Sequence, residues 1–170
     1  MSQANPYDGF LGERDFAEVL RETPRRVREL AGRLGAAGLE RSLEPGKWPA
    51  RGILCHLADC EIAFGFRLRQ TLSVDDHVMQ PFDQEKWARS YGPLSGQHAV
   101  EVFTALRGWN LALLKGLTPA ELDRRASHPQ RGEMRLRTIA ETMAGHDLNH
   151  LQQLEKIAGQ MEAGADSAPA

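Results

Sequence analysis

Apolar residues recur every three or four positions in four long segments of the chain, and glycine and proline punctuate the intervals between them. In "GERDFAEVLRETPRRVRELAGRLGAAG", Phe16, Val19, Leu20, Val27, Leu30 and Leu34 fall at helical spacings. Pro24 within it either starts a fresh helix or kinks a continuous one. The second segment, "PARGILCHLADCEIAFGFRLRQTLS", carries Pro49 where a first helical turn tolerates proline, and it should run to about Ser73. The third, "GQHAVEVFTALRGWNLALLKGL", ends near Gly116, and the fourth, "MRLRTIAETMAGHDLNHLQQLEKIAG", near Gly159. No period-two alternation lasts long enough to build a sheet. The pattern predicts an all-α four-helix bundle occupying residues 1–160, with 161–170 as a flexible tail.

The link between the second and third helices, roughly residues 74–95, exceeds what a helical hairpin needs and contains "PFDQEKWARSYGP", with a short helix expected at 84–89. A link of that length can cross the bundle, which lets the second and third helices run parallel.

Composition narrows the setting. The 170 residues suffice for one cored domain. The formal charge of -2, with no run of five like charges, gives no electrostatic reason to expect nucleic acid or membrane as partner. The start lacks a signal-peptide pattern and no segment approaches the ~20 apolar residues of a membrane span, so a soluble cytoplasmic protein is expected. Cys55 and Cys60, five apart on one helix, diverge by about 140° and are expected as reduced structural thiols.

The candidate chemistry lies in "GHDLNHLQQL", residues 145–154. With His146 at zero on a wheel of 100° per residue, His150 falls at about 40° and Ile139 and Ile157 at about 20°, so both imidazoles lie on the inward stripe one turn apart. They are either core histidines or two ligands of one ion; the zinc-protease motif is absent, because Asp147 stands where it needs glutamate. Among His56, His77, His98 and His128, position favours His56, which shares an inward stripe with Ile53, Cys60 and Arg67. His77 reads as a solvated linker residue, His98 as a first-turn surface residue, and His128 as a loop residue able to contact a substrate. His56 near the start of its helix meets His146 and His150 only if those helices are antiparallel. With short links joining the other pairs, that requires the parallel arrangement the crossover permits, so an up-down-down-up topology is predicted.

The segments "RETPRRVREL", "EPGKWPARGILCHLADCE", "FDQEKWA", "HPQRG" and "GHDLNHLQQL" together resemble the DinB-like superfamily, in its YfiT-like branch, from about Phe16 to Lys156. The resemblance implies an up-down-down-up bundle and a divalent metal held by His56, His146 and His150. Pro49 departs from the family's usual serine or threonine there. It also implies, from relatives that use low-molecular-weight thiols, a thiol-dependent S-transferase or isomerase acting on a small electrophile. The alternatives are a hydrolase using a metal-activated water and a non-catalytic, stress-related bundle with a structural metal. Zinc or nickel is expected first, with iron or manganese also suited to three imidazoles. Asp59, Gln153 and His128 are expected to support a ligand or touch substrate, Arg67 to form a buried ion pair, and Trp48 and Trp87 to cover the bundle mouth. Ala144, Leu148 and Leu151 make a second apolar patch, which either seats a homodimer contact or packs within the chain.

Overall fold

The computed structural model describes residues 5–166. Its helices are α1 (Asp8–Leu11), α2 (Phe16–Leu39), α3 (Ala50–Ser73), α4 (Gln84–Ala88), α5 (Gly96–Lys115), α6 (Pro119–Leu122) and α7 (Leu136–Asp166), with strands β1 (His77–Val78), β2 (Arg125–His128) and β3 (Gly132–Arg135). The four long helices, α2, α3, α5 and α7, make the bundle.

Pairs of side chains fix the helix directions. Arg26 meets Glu155 and Arg33 meets Glu162, the same sequence separation each time, so α2 and α7 run parallel. Leu54 packs beside Gly96, Glu61 reaches Arg107, and Arg69 reaches Asn110, so α3 and α5 are parallel too. His56 meets His146 while Phe64 lines a cavity with Thr142 and Ile139 further back along α7, which makes α3 and α7 antiparallel. The topology is up-down-down-up. A parallel α3 and α5 oblige the chain to return the length of α5, ~30 Å, and residues 74–95 do so with α4 along the way.

One buried arginine joins all four bundle helices. Arg107 of α5 bonds Glu61 of α3 at 2.6 Å and Asp147 of α7 at 2.6 and 3.1 Å, and donates to the Leu20 carbonyl of α2 at 3.1 Å. Asn110 donates to the second oxygen of Glu61, and the Phe103 ring lies under the guanidinium. The Leu20 carbonyl is available because Pro24, four residues on, has no N–H to offer it. Pro24 therefore lies inside α2 and starts no fresh helix; the non-helical backbone within α2 falls at Gly35, whose φ of 59° favours glycine.

Two sequence expectations are corrected, and an alternative left open is settled for one patch. A small sheet exists, with β1 parallel to β2 and β2 antiparallel to β3 around a turn at residues 129–131. Its strands are two and four residues long, too short to show an alternation, and Gly132 at φ 81° closes the hairpin. The fourth helix persists past Gly159 to Asp166, so much of the expected tail is helical; residues 167–170 lie outside the described region. Ala144, Leu148 and Leu151 are buried inside the chain, where α1 and α2 cover this side of α7, and the patch offers no face to a second copy. The described helices include none long and apolar enough to cross a membrane.

Replacing Arg107 with methionine would leave two carboxylates buried without a cation. A loss of about 3–5 kcal/mol is expected, read as a lower urea midpoint.

Candidate metal centre

His56 comes from the second turn of α3, and His146 and His150 from successive turns of α7. All three are buried, at 1%, 4% and 6% exposure. Their candidate ligand nitrogens lie within 4.8 Å of one another. His56 Nε2 and His146 Nε2 are 2.9 Å apart, a separation at which two neutral rings share one proton at most. Gln153 Oε1 faces His150 Nδ1 at 3.0 Å and accepts its proton, which leaves Nε2 of His150 as a bare lone pair.

Burial holds the imidazoles neutral. Desolvation, followed by the nearby His150, lowers His56 to about 3; desolvation lowers His150 to about 4, against a partial rise from Gln153. His146 is pushed well below its ordinary value by burial, then by the other two histidines and Arg107. Neutral, convergent imidazoles are the form that binds a divalent cation, so the residues present fit the ion that the sequence suggests.

The residues expected around the centre are placed as follows. Gln153 hydrogen-bonds His150. Asp59 does not orient a ligand: its carboxylate accepts from Tyr91 Oη at 2.8 Å. His128, at the end of β2, lies in the wall of an adjoining cavity, its Nδ1 accepting from the Gln130 amide. His98 is exposed as expected, whereas His77 is half-buried in β1. Arg67 is buried but pairs with no described carboxylate; Arg107 holds the buried ion pairs instead.

Three further neighbours lie against the rings of the centre, of which Tyr7 had no place in the sequence reading. Cys60 Sγ sits 3.5 Å from His56 Nε2 and 3.7 Å from His146 Nε2, one turn along the stripe that His56 occupies. Burial, with Asp147 and Glu61 nearby, pushes its thiol far up, so it is protonated and no nucleophile at neutral pH. Tyr7 meets the His146 ring edge-on at 5.2 Å, and its backbone lies against Gly145, where a Cβ would come within 2.5 Å of the Tyr7 carbonyl. The signal was a glycine in mid-helix beside a histidine. Trp48, expected only as a cover, packs its ring 4.9 Å from that of His56 and donates to Glu85.

Two cavities adjoin the cluster. One of about 590 Å³ is lined by His150, Gln153, Trp48 and Asn149. The other, about 300 Å³, is lined by His56, His146, Cys60, Arg67, His128 and Arg131. Tyr7 and Gln84 border both.

Fold and centre together define a mainly helical bundle with three convergent histidines able to hold a metal ion. Residues 19–154 match the DinB superfamily, and the chain belongs to it. A relative from Oceanobacillus iheyensis, provisionally named a metal-dependent hydrolase, is 25% identical over 84% of each chain. YfiT of Bacillus subtilis, likewise provisionally named, is 22% identical over 86% of this chain and 84% of its own. The solved structure of that YfiT, described as having an unusual four-helix bundle topology, superposes with a TM-score of 0.81 at 21% identity over 86% of both chains. A mycothiol-dependent maleylpyruvate isomerase shares the fold more distantly, with a TM-score of 0.65 at 12% identity, covering 91% of this chain and 63% of that one.

Two outcomes are expected. The folded imidazoles of His56 and His150 titrate below the unfolded value of 6.5, so the unfolded chain binds more protons as pH falls. Stability of the metal-free protein is then complete above pH 6.5 and declines toward pH 3–4, by about 2 kcal/mol per histidine between pH 6.5 and 5, measurable by urea unfolding. Gln153→Ala should weaken metal affinity by about 10- to 100-fold without unfolding the protein, as read by chelator competition.

Proposed function

We propose that the protein is a metal-dependent enzyme that joins a low-molecular-weight thiol to a small electrophile, with His56, His146 and His150 holding the ion. The observation that carries this reading is the pair of cavities meeting the histidine cluster from different sides, one bordered by His150 and the other by His56 and His146. A two-substrate reaction needs two such approaches to one centre. The larger cavity has room for the thiol and the smaller for the acceptor.

A divalent ion bound here supplies Lewis acidity that lowers the pKa of a thiol or water brought to it. The chain's own residues do the rest. Neutral imidazoles leave the ion its full charge, Gln153 fixes the tautomer of His150, and Trp48 and Tyr7 shield the rings of His56 and His146 from bulk water. In transfer, an S–C bond forms as the acceptor's leaving group departs, and the thiol proton leaves with it. The reacting thiol is the substrate's; in the metal-free protein burial pushes that of Cys60 up. Free, buried Cys55 and Cys60 suit a reducing, cytoplasmic setting.

A hydrolytic reading, with water in place of the thiol, is favoured by the provisional names of the relatives. Rate measurements on zinc- and nickel-loaded protein with a fluorogenic electrophile separate the two. The rate is expected to rise with added cysteine-derived thiol and to fall to background in His150→Ala together with stoichiometric metal. A rate independent of thiol would overturn the transferase reading in favour of hydrolysis. Full metal retention by His150→Ala would overturn the ligand assignment.

A further inference from the structure

We infer that the smaller cavity is a built subsite for an oxyanion, carboxylate or phosphate, of a small substrate, with Arg67 as its main cation and Arg131 and His128 beside it. The inference rests on the proposed catalytic reading only for what that anion is attached to.

Arg67 is 8% exposed, yet among the described residues its one hydrogen bond is Nη2 to the Gln80 carbonyl, at 3.1 Å. Its remaining contacts are the faces of Phe64 and Phe82, with the guanidinium carbon 5.8 and 5.5 Å from the ring centroids. Those rings hold the planar head in place without consuming its N–H groups. The guanidinium has five N–H donors, and its unused ones are not sealed off from the cavity that it lines. A buried cation normally has a carboxylate partner, as Arg107 has two in this same bundle.

The charged side chains lining this cavity, among the described residues, are Arg67 and Arg131. Burial first, then Arg131, lowers Arg67, while His128 is lowered by burial and then by Arg131 and Arg67. His128 accepts from the Gln130 amide through Nδ1, so its proton resides on Nε2 as a donor. Two guanidinium groups and a neutral imidazole donor therefore line a space of about 300 Å³ that also reaches His56 and His146. A planar oxyanion matches the donor fork of a guanidinium held in this way. The fold delivers these groups from separate elements: Arg67 from α3, and His128 and Arg131 from the β2–β3 hairpin, which β1 ties to the crossover. The hairpin thus acquires a purpose that a plain helical connection would not have.

Calorimetric titration of the full-length, metal-free protein with succinate and, separately, inorganic phosphate tests the subsite. Saturable millimolar binding of at least one is expected, and the anion that binds identifies the group. Arg67→Gln is expected to weaken it by at least about tenfold, with Arg67→Lys retaining part of the affinity. Arg131→Gln, on the hairpin turn, should weaken it as well and decides the matter if the Arg67 variant fails to fold. Absence of saturable binding of both anions, or binding untouched by the arginine variants, would overturn the inference. Because no metal is present in the titration, such a failure is separate from failure of the metal reading. That reading is tested by metal stoichiometry, which Arg67→Gln should leave equal to that of the parent.

Discussion

The bundle is organised around the Arg107 hub. An arginine with two carboxylates in the interior is a costly way to hold helices together, since desolvation of three charges consumes much of what their attraction returns. What it supplies is register. Apolar side chains of similar volume can slide past one another by a turn, but a guanidinium that must meet Glu61, Asp147 and the Leu20 carbonyl at once admits one alignment of four helices. Glu61 lies five residues beyond His56, and Asp147 is adjacent to His146. The hub consequently sets the separation and level of α3 and α7 where their histidines converge, and its positive charge helps to keep His146 neutral.

That coupling explains why the histidine cluster was legible in the sequence while its supports were not. A period of 3.6 residues places His56, His146 and His150 on inward stripes, and the length of residues 74–95 makes the required parallel pair of helices feasible. Both inferences need only helix geometry and chain reach. Asp147 and Glu61 were visible as acidic residues, but their shared partner, Arg107, lies some forty residues from each, and no periodicity links residues on different helices. Asp59 is a parallel case. It stands three residues from His56 on α3, but the hydroxyl that donates to it belongs to Tyr91 in the crossover.

Proline and arginine show two further limits. Pro24 signals a break on local grounds, yet the carbonyl that it orphans is taken up by a side chain from another helix, and α2 continues. Arg67 signals a buried ion pair on the general ground that buried charges are paired. Here the partner is missing among the described residues, and general rules fail most informatively where a site requires the exception. Tyr7 carried no signal of its own. The only trace of its position was Gly145, whose missing side chain gives the N-terminal segment room against α7.

The two cavities differ in chemistry as well as in size, and the difference bears on the type of reaction. Around His150 the lining is mixed, with Gln153, Asn149, Trp48, Lys47 and Glu85. Around His56 and His146 it is cationic, with Arg67 and Arg131. A hydrolase needs one organic substrate and a water, and a second shaped cavity would serve it little. On the reading proposed above, two chemically distinct approaches to one centre suit two different organic molecules, brought to the histidines through separate cavities.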